Sequence, residues 1–199
     1  AGRSEIAQTL FGARPASGGE VHKNGKLFAP RHPAQAIAEG VAYLPEDRKL
    51  LGSFQQLSIA ENVVVSNLPK VARKGWLKWG AVRQAVAELV QLLAIKTSDQ
   101  RQSLAQLSGG NQQKVVLAKW LFAQPDVLMV DEPTHGVDVG AKMEIYLLLH
   151  QLAAEGKSII LISSELPELL LLSDRILVVH EGRQMGILSR QEATEARIM

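Results

Sequence analysis

The stretch LSGGNQQKVVLAKWLFAQPDVLMVDE, residues 107–132, decides the fold class of this chain. Its LSGG turn places Ser108, Gly109 and Gly110 at the start of a predicted helix, where free backbone N–H groups, the helix dipole and a hydroxyl favour an anion such as phosphate. The apolar run VLMV, residues 127–130, predicts a strand covered on both faces, and Asp131 and Glu132 follow at its carboxyl end. Open α/β sheets bind ligands at that end.

Several strings of residues together resemble one known family. LSGGNQQ resembles the signature motif of an ABC transporter ATP-binding domain, VLMVDE its Walker B strand, and Gly136 to Asp138 its D-loop. YLPEDRK (43–49), LSIAEN (57–62) and DEPTHGVDVGAK (131–142) resemble one subgroup, the C-terminal nucleotide-binding domain of the tandem ATPases that power bacterial ribose, galactoside, xylose and autoinducer-2 importers. The resemblance extends from residue 1 to about residue 192 and implies an ABC-type P-loop NTPase fold.

Composition fits one domain without membrane segments. The chain has 199 residues, 46% of them apolar, which is enough for a substantial core. It has no cysteine, which favours a reducing cytosol, and its five histidines show no metal-binding spacing. No apolar run reaches the roughly 18 residues of a membrane span, and no signal peptide is recognisable. A net charge of +2 is far from the basic stripe of a nucleic-acid-binding protein, so we expect no nucleic acid partner.

The periodicity predicts a mostly parallel α/β sheet between helix layers, with an inserted helical subdomain. In the helical region we expect Ala85, Leu89, Leu92 and Leu93 to form one buried face. The domain is predicted to cover residues 1–192, the subdomain about 57–122, and a tail 193–199. Helices are predicted at 5–10, 139–154 and 165–172, in addition to a mainly helical stretch at 59–122. Strands are predicted near 20–21, 26–28, 41–44, 127–131, 158–162, 175–179 and 184–188.

Asp131 and Glu132 are the candidate chemical residues. Mg²⁺ prefers oxygen ligands, so Asp131 would hold it through water while phosphates supply further ligands. Glu132 would then polarise the attacking water. The simpler alternative is that the two carboxylates cap the end of the strand.

The signature residues imply a role in a partner's site. In the family, the counterparts of Ser108, Gly109, Gly110 and Gln112 reach across a dimer to the γ-phosphate held by the partner domain, and Asp138 belongs to the D-loop beside them. The alternative is a serine N-cap followed by glycines in a turn, which is compatible with that role.

Gly2, Arg3 and Ser4 align with the end of the Walker A pattern GxxxxGK[ST], in which backbone N–H groups and a lysine bind phosphates. Only Ala1 precedes Gly2, so we expect a chain truncated at its N-terminus. Arg3 replaces the lysine, as is usual in this subgroup, and is not an equivalent point charge. Ser4 is a candidate Mg²⁺ ligand, with a plain helix start as the alternative.

Two further positions depart from the usual family pattern. Glu46 occupies the place of the Q-loop glutamine; the alternative is an acid in a surface turn paired with Arg48 or Lys49. Ser164 occupies the place of a histidine that contacts the γ-phosphate. As an alternative, Ser163 and Ser164 would form the N-cap of the next helix. Together with Arg3, the serine at position 164 predicts weak hydrolysis at this domain's own site, whereas Glu132 favours hydrolysis there.

A basic stretch interleaved with tryptophan runs from Lys70 to Arg83. Such a cluster favours a solvated face with partly buried rings, with contact to membrane headgroups or nucleic acid as the alternative. LSIAEN nearby corresponds, by resemblance, to the groove that receives the coupling helix of a transmembrane subunit.

The resemblance implies energy coupling in a bacterial sugar importer. ATP and Mg²⁺ would be the cofactors. The implied partners are an N-terminal ATP-binding domain of the same or a paired subunit, transmembrane permease subunits and, indirectly, a periplasmic sugar-binding protein, at the cytoplasmic face of the inner membrane. The alternative is a catalytically impaired binding module that lends only its signature and docking surface. A soluble ABC ATPase of translation or DNA repair would carry long charged linkers, and none is present.

Overall fold

A computed structural model describes residues 2–198 of the chain. The helices are α1 Arg3–Leu10, α2 Pro33–Ala38, α3 Ile59–Val64, α4 Trp79–Leu92, α5 Gly109–Phe122, α6 Val139–Ala154, α7 Leu166–Leu172 and α8 Glu195–Ile198. The strands are β1 His22–Lys23, β2 Lys26–Leu27, β3 Val41–Leu44, β4 Ala72–Arg73, β5 Trp76–Leu77, β6 Val127–Asp131, β7 Ser158–Ile162, β8 Arg175–His180 and β9 Arg183–Ser189. A π-helical turn spans Arg48–Gly52, and short 3₁₀ turns span Val65–Lys70 and Leu104–Gln106.

The central sheet is parallel and has the strand order β3, β6, β7. All four residues of β3 and the last four of β6 are buried, as their apolar sequences predict. The predicted parallel sheet is confirmed for these three strands. β8 and β9, by contrast, pair antiparallel with each other and form a separate two-stranded sheet. A tight turn between them makes the antiparallel hairpin the available pairing.

The helical region packs around α5, whose central residues Val115 to Ala118 are all buried. α3 begins with a capping box, in which the Ser58 hydroxyl accepts from the Glu61 N–H and the Glu61 carboxylate accepts from the Ser58 N–H. The predicted buried face of α4 is partly wrong. Leu93 is buried just after the helix, and Ala85 and Leu89 pack partly buried against the core, but Leu92 is 51% exposed. The buried residues within the helix are Val82 and Val86, which follow an i, i+4 spacing.

The sequence prediction missed several short elements and displaced one. α2, the π-helical turn, the hairpin of β4 and β5, and α8 were not predicted, and β1 lies two residues after its predicted position. Each missed element has six residues or fewer, too few to show a hydrophobic period. The hairpin interrupts the stretch predicted to be helical. Within residues 2–198, no helix combines the length and the apolar character needed to cross a bilayer.

Candidate functional site

Asp131 ends β6 and is the most deeply buried candidate residue. Its side chain is 1% exposed, and its Oδ2 accepts a hydrogen bond of 2.9 Å from the hydroxyl of Tyr43 on the neighbouring strand. Its Oδ1 is buried and has no hydrogen-bond partner among the described residues. A buried carboxylate oxygen without a partner is costly, and a bound cation or its water would satisfy it.

The surroundings of Asp131 fit a cation that brings ligands of its own. Within the described part of the chain, no three carboxylate or imidazole side chains come together as a metal cluster. Magnesium is commonly bound by one or two carboxylates together with water and phosphate oxygens. Asp131 therefore fits a Mg²⁺ ion that arrives with a nucleotide. Ser4, the second predicted ligand, lies in the first turn of α1, and its hydroxyl makes no hydrogen bond to any residue from 2 to 198.

Burial and the neighbouring carboxylate also act on Tyr43. Burial first, and then the charge and hydrogen bond of Asp131, raise the pKa of the Tyr43 hydroxyl well above its usual range. The phenol therefore stays protonated and donates to Asp131. Tyr43 was not among the predicted site residues.

Glu132 lies beside Arg3. The Arg3 Nη2 is 3.9 Å from the Glu132 Oε1, and the Arg3 Nη1 donates to the carbonyl of Ser163 at 2.7 Å. The guanidinium thus joins α1, the end of β6 and the turn after β7. Glu132 has a φ of 47°, a left-handed conformation that costs a non-glycine residue on the order of 1 kcal/mol or more, and its N–H is bonded to the Ile162 carbonyl. Strain of this kind is typical of functional positions.

Gly2 precedes α1 with a φ of 101°, which an L side chain rarely adopts. A Cβ there would lie 3.6 Å from the Cα of Gly182, so Gly2 approaches the turn between β8 and β9. Ser4 lies in the first turn of α1, in agreement with the alternative of a plain helix start, and the same turn brings Arg3 to Glu132.

The start of α5 is capped as predicted. The Ser108 hydroxyl is exposed in this part of the chain and accepts hydrogen bonds from the backbone and side chain of Asn111. Gly110 is buried against the start of α6, because a Cβ at Gly110 would lie only 2.8 Å from the Cβ of Ala141. Asp138 caps α6 by accepting from the Ala141 N–H at 3.0 Å. The signature glycine and the D-loop residue are therefore neighbours.

Gln112 lies in the first turn of α5 and is buried. Its Nε2 donates to the carbonyl of Leu107 at 3.0 Å, while its Oε1 has no partner among the described residues. The side chain therefore points into the domain, and in this structure it fixes the backbone that precedes helix α5.

Arg48, in the π-helical turn, connects the turn after β6 to the start of α5. Its Nη1 donates to the carbonyl of His135 at 2.9 Å and its Nη2 to that of Gly136 at 3.5 Å. A Cβ on Gly109 would lie 2.9 Å from the same Nη2. The predicted pairing of Glu46 with Arg48 or Lys49 is therefore wrong. Glu46 is exposed and forms no ion pair within residues 2–198, because Arg48 points to the turn after β6 instead.

The predicted N-cap at Ser164 is also wrong. α7 has Glu165 as its N-cap residue, and the hydroxyl of Ser163, not Ser164, accepts from the Glu165 N–H at 2.9 Å. Ser164 is exposed. One turn into α7, the buried Glu168 accepts from the hydroxyl of Thr134 at 3.1 Å, and burial raises the pKa of this carboxyl. That bond ties α7 to the turn after Glu132.

Residues 1–135 match the family described as ABC transporter. The chain belongs to the ABC transporter family. ABC ATPases are nucleotide-binding proteins, and the predicted fold and family are confirmed. The chain is similar to the dimeric ATP-binding cassette solved in a post-hydrolysis state with ADP and Pi, with a TM-score of 0.81 and 19% identity over 95% of this chain and 81% of that one. It is also similar to a Clostridium perfringens protein of the cbiONQ transporter complex, with a TM-score of 0.77 and 24% identity over 96% and 74% of the two chains.

Curated relatives of this ABC domain are named as sugar import proteins. One from Pseudomonas fluorescens, named for ribose, galactose and methyl galactoside import and for ATP binding, is 50% identical over 198 residues. A ribose import ATP-binding protein from Halalkalibacterium halodurans is 47% identical over 199 residues. The matches cover 100% of this chain but 38% and 40% of those relatives, so the ABC domain spans well under half of their length.

Sequence reasoning missed three residues that shape this site: Tyr43, Arg48 and Glu168. Only Tyr43 gave a signal, as the one polar side chain in an otherwise apolar strand. Once β3 pairs with β6, Tyr43 lies opposite Met129 and on the same face as Asp131, two residues further on. The contacts of Arg48 and Glu168 join segments far apart in sequence.

Proposed function

We propose that this domain is the ATP-binding, energy-coupling part of a bacterial ABC importer for a sugar or sugar-like solute. In this proposal Ser108, Gly109, Gly110 and Gln112 complete an ATP site that a partner domain holds, and closure around ATP drives the attached permease. The single observation that carries it is the glycine-tipped start of α5, packed against the turn after β6 with the Ser108 hydroxyl exposed.

The geometry at the start of α5 supports the binding of an anion that a partner domain holds. Because Gly109 and Gly110 have no side chains, the turn packs against Arg48 and Ala141 at distances that a Cβ would not allow. The free N–H groups of the first helical turn and the positive end of the helix dipole favour a terminal phosphate. Asp138 of the D-loop lies beside them.

The end of β6 supports a hydrolytic role for the domain's own residues. Asp131 would hold Mg²⁺ through the oxygen that lacks a protein partner, and Glu132 would orient and polarise the attacking water. When bound, Mg²⁺ neutralises charge on the phosphate oxygens. Gly2, Arg3, Ser4, Glu46 and Ser164 remain proposed nucleotide contacts. Of these, Arg3 is the one whose side chain contacts Glu132.

The proposed partners are an N-terminal ATP-binding domain of the same or a paired subunit, transmembrane permease subunits and, indirectly, a periplasmic sugar-binding protein. The names of the relatives, which state sugar import and ATP binding, support this assignment. Such an assembly would place the domain peripherally on the cytoplasmic face of the inner membrane. The exposed apolar residues Leu50, Leu51 and Phe54 provide a surface for a permease.

A thiol at the signature tests the proposed closure. The chain has no cysteine, so Ser108→Cys introduces a single reactive group, and Ser98→Cys on an exposed loop is the matched control. With the partner ATP-binding domain present, Mg-ATP should slow maleimide labelling of the S108C variant at least about ten-fold and leave the S98C variant unchanged. Equal labelling rates of the S108C variant with and without Mg-ATP would contradict the closure.

The base role of Glu132 is tested in the complete tandem protein. Glu132→Gln should lower the ATP turnover rate about 100-fold or more, because removing a general base costs roughly 10²–10⁴-fold, while Mg-ATP binding persists. Glu155→Gln, which removes an exposed carboxylate at the end of α6, is the matched control and should leave turnover unchanged. Unchanged turnover in the E132Q variant would remove this role.

A second candidate function, binding without turnover, is favoured by Arg3. Its guanidinium lies 3.9 Å from the Glu132 carboxylate and donates to the Ser163 carbonyl, so a cation is already held beside the proposed base. On this alternative the domain lends its signature to a partner and hydrolyses nothing itself. Single-turnover hydrolysis with the partner's site disabled distinguishes the two: product formation supports turnover here, and none supports the binding module.

A further inference from the structure

The segment from residue 62 to residue 87 has a charge pattern unlike the rest of the chain. It contains five basic residues and no acidic one. Since the whole chain carries +2 and this segment +5, the remainder carries −3. Its basic residues are Lys70, Arg73, Lys74, Lys78 and Arg83. Positive charge is therefore concentrated in one short part of the fold, and the proposed ATP site does not use it.

A hairpin projects from this segment. β4 and β5 are joined by Lys74 and Gly75, with φ of 52° and 82°, the left-handed pair of a tight two-residue turn. Arg73 lies opposite Trp76, so the two share one face, and Ala72 lies opposite Leu77 on the other. Leu77 packs against the core. The face with Arg73 and Trp76 therefore points away from the body of the domain.

Trp76 is 81% exposed, and Trp79, the first residue of α4, is 48% exposed. The expected solvated face with partly buried rings is therefore wrong for Trp76. A tryptophan exposed to this extent on a rigid turn leaves a large apolar surface in water. Such a ring is typical of a surface that contacts a partner.

The cations around the two rings are available to a partner. Arg73, Lys74, Lys78 and Arg83 are exposed, and none of them forms an ion pair within the described residues 2–198. Lys70 is different, because it donates to the Phe122 carbonyl at 2.9 Å and lies over the ring of that residue. The available surface consists of four cations and two tryptophans, named here the hairpin patch.

We propose that the hairpin patch, Arg73, Lys74, Trp76, Lys78, Trp79 and Arg83, binds the anionic headgroups of a lipid bilayer. Tryptophan is favoured at the membrane interface, where its ring is half apolar and half hydrated, and flanking cations are attracted by anionic lipids. The proposal does not depend on ATP turnover. It agrees with the proposed position of the domain on the cytoplasmic face of the inner membrane.

The chemistry favours a bilayer over an acidic peptide or a nucleic acid. The Trp76 ring projects beside the hairpin turn, so it can insert into an interface, whereas Trp79 and Arg83 border a cavity that Glu61 and Asp99 also line, which disfavours an acidic peptide there. Four cations without a basic stripe elsewhere give too small a footprint for nucleic acid. Each exposed cation near an anionic membrane is expected to raise the partition coefficient about five-fold, and salt should weaken this attraction.

The experiment measures cosedimentation of the full chain with vesicles, without nucleotide. One vesicle type contains phosphatidylcholine only, and the other contains about one third phosphatidylglycerol, each at low and high salt. The wild-type chain should bind the anionic vesicles and lose that binding in high salt. The variant R73Q/K74Q/K78Q should lower the partition coefficient about 100-fold, from three cations at about five-fold each.

Matched variants separate the patch from general effects. K26Q/R31Q/R183Q removes the same charge from exposed positions elsewhere and should change binding less than about three-fold. Trp76→Ala should reduce binding at least about ten-fold, whereas Leu147→Ala, which removes an exposed apolar side chain on α6, should not. Circular dichroism checks that each variant is folded.

Three results would overturn the proposal. The wild-type chain could fail to bind anionic vesicles at low salt. The two triple variants could lose binding equally, which would assign the effect to net charge. Finally, the chain could bind a DNA duplex or an acidic peptide through Trp76 while ignoring vesicles, which would assign the patch to that partner. None of these results bears on labelling of the S108C variant by maleimide, so failure of the membrane proposal is distinguishable from failure of the ATP proposal.

Discussion

Replacing Tyr43 by phenylalanine removes the hydrogen bond that the Asp131 carboxylate accepts from a side chain. Tyr43 is 6% and Asp131 1% exposed, so water cannot easily replace the donor. The ring would keep its packing against Phe11, whose centroid lies 5.6 Å away. Leaving a buried acceptor unpaired costs about 1–3 kcal/mol, and the second oxygen of Asp131 already lacks a partner in residues 2–198. We expect the free energy of unfolding to fall by about 2 kcal/mol.

Urea unfolding at neutral pH measures this loss, with an unchanged m value showing that both states keep their compactness. Tyr146→Phe is the matched control, since these are the two tyrosines of the chain and Tyr146 is only partly buried. It should cost less than about 1 kcal/mol. In an Asp131→Ala background, Tyr43→Phe should also cost little, because the acceptor is gone. A Y43F variant as stable as the wild type, or an equal loss in the presence and absence of Asp131, would refute this account of the buried pair.

The remaining predictions concern stability and use the same assay. Burial lowers the pKa of Lys119 to about 8, so between that pH and the unfolded pKa of about 10.4 the unfolded chain binds more protons than the folded one. From about pH 7 to about pH 9.5, the free energy of unfolding of the wild type should therefore rise by about 2 kcal/mol relative to that of the Lys119→Met variant. A difference between the two proteins that stays constant with pH would contradict this. Gly110→Ala should lower the free energy of unfolding by about 1–3 kcal/mol, because the new Cβ would lie 2.8 Å from the Cβ of Ala141. Gly80→Ala is the control and should be neutral or stabilising, because no atom lies within 4 Å of a Cβ at Gly80. Equal effects of the two substitutions would refute the close approach at Gly110. Ser58→Ala should cost about 1 kcal/mol through loss of the capping box. The Ser58 hydrogen bonds lower the pKa of Glu61, so this difference should shrink as the pH falls below about 4, and a difference that grows there would be inconsistent with the box.

The central sheet and the longer helices could be predicted because their sequences repeat one signal over many residues. The buried strand at 127–131 is a continuous apolar run ended by two acids, and α6 begins at an aspartate that caps it. Both elements have the predicted bounds. The short hairpin at 72–77 gave no such signal, since its strands have two residues each and its turn depends on left-handed φ angles at Lys74 and Gly75.

The site was predicted less completely than the sheet, because its side chains are placed by contacts across the chain. Tyr43 reaches Asp131 over 88 positions, and Arg48 reaches His135 over 87. A single sequence gives residue types and local spacing but no register between strands that are distant in sequence. Glu46 illustrates this limit: its neighbour Arg48 was a reasonable local partner, yet the fold offers that guanidinium two carbonyl groups instead.

The stretch from Glu132 to Asp138 joins two parts of the candidate site that contact different parts of the domain. At one end, Glu132 is held by the Ile162 carbonyl and approached by Arg3. At the other, Asp138 caps α6 while Arg48 binds the carbonyls between them and touches Gly109. A segment of seven residues that is fixed at both ends can change its backbone path only slightly. If the proposed phosphate displaces the start of α5, we expect the movement either to break the Arg48 contacts or to move the backbone that carries Glu132.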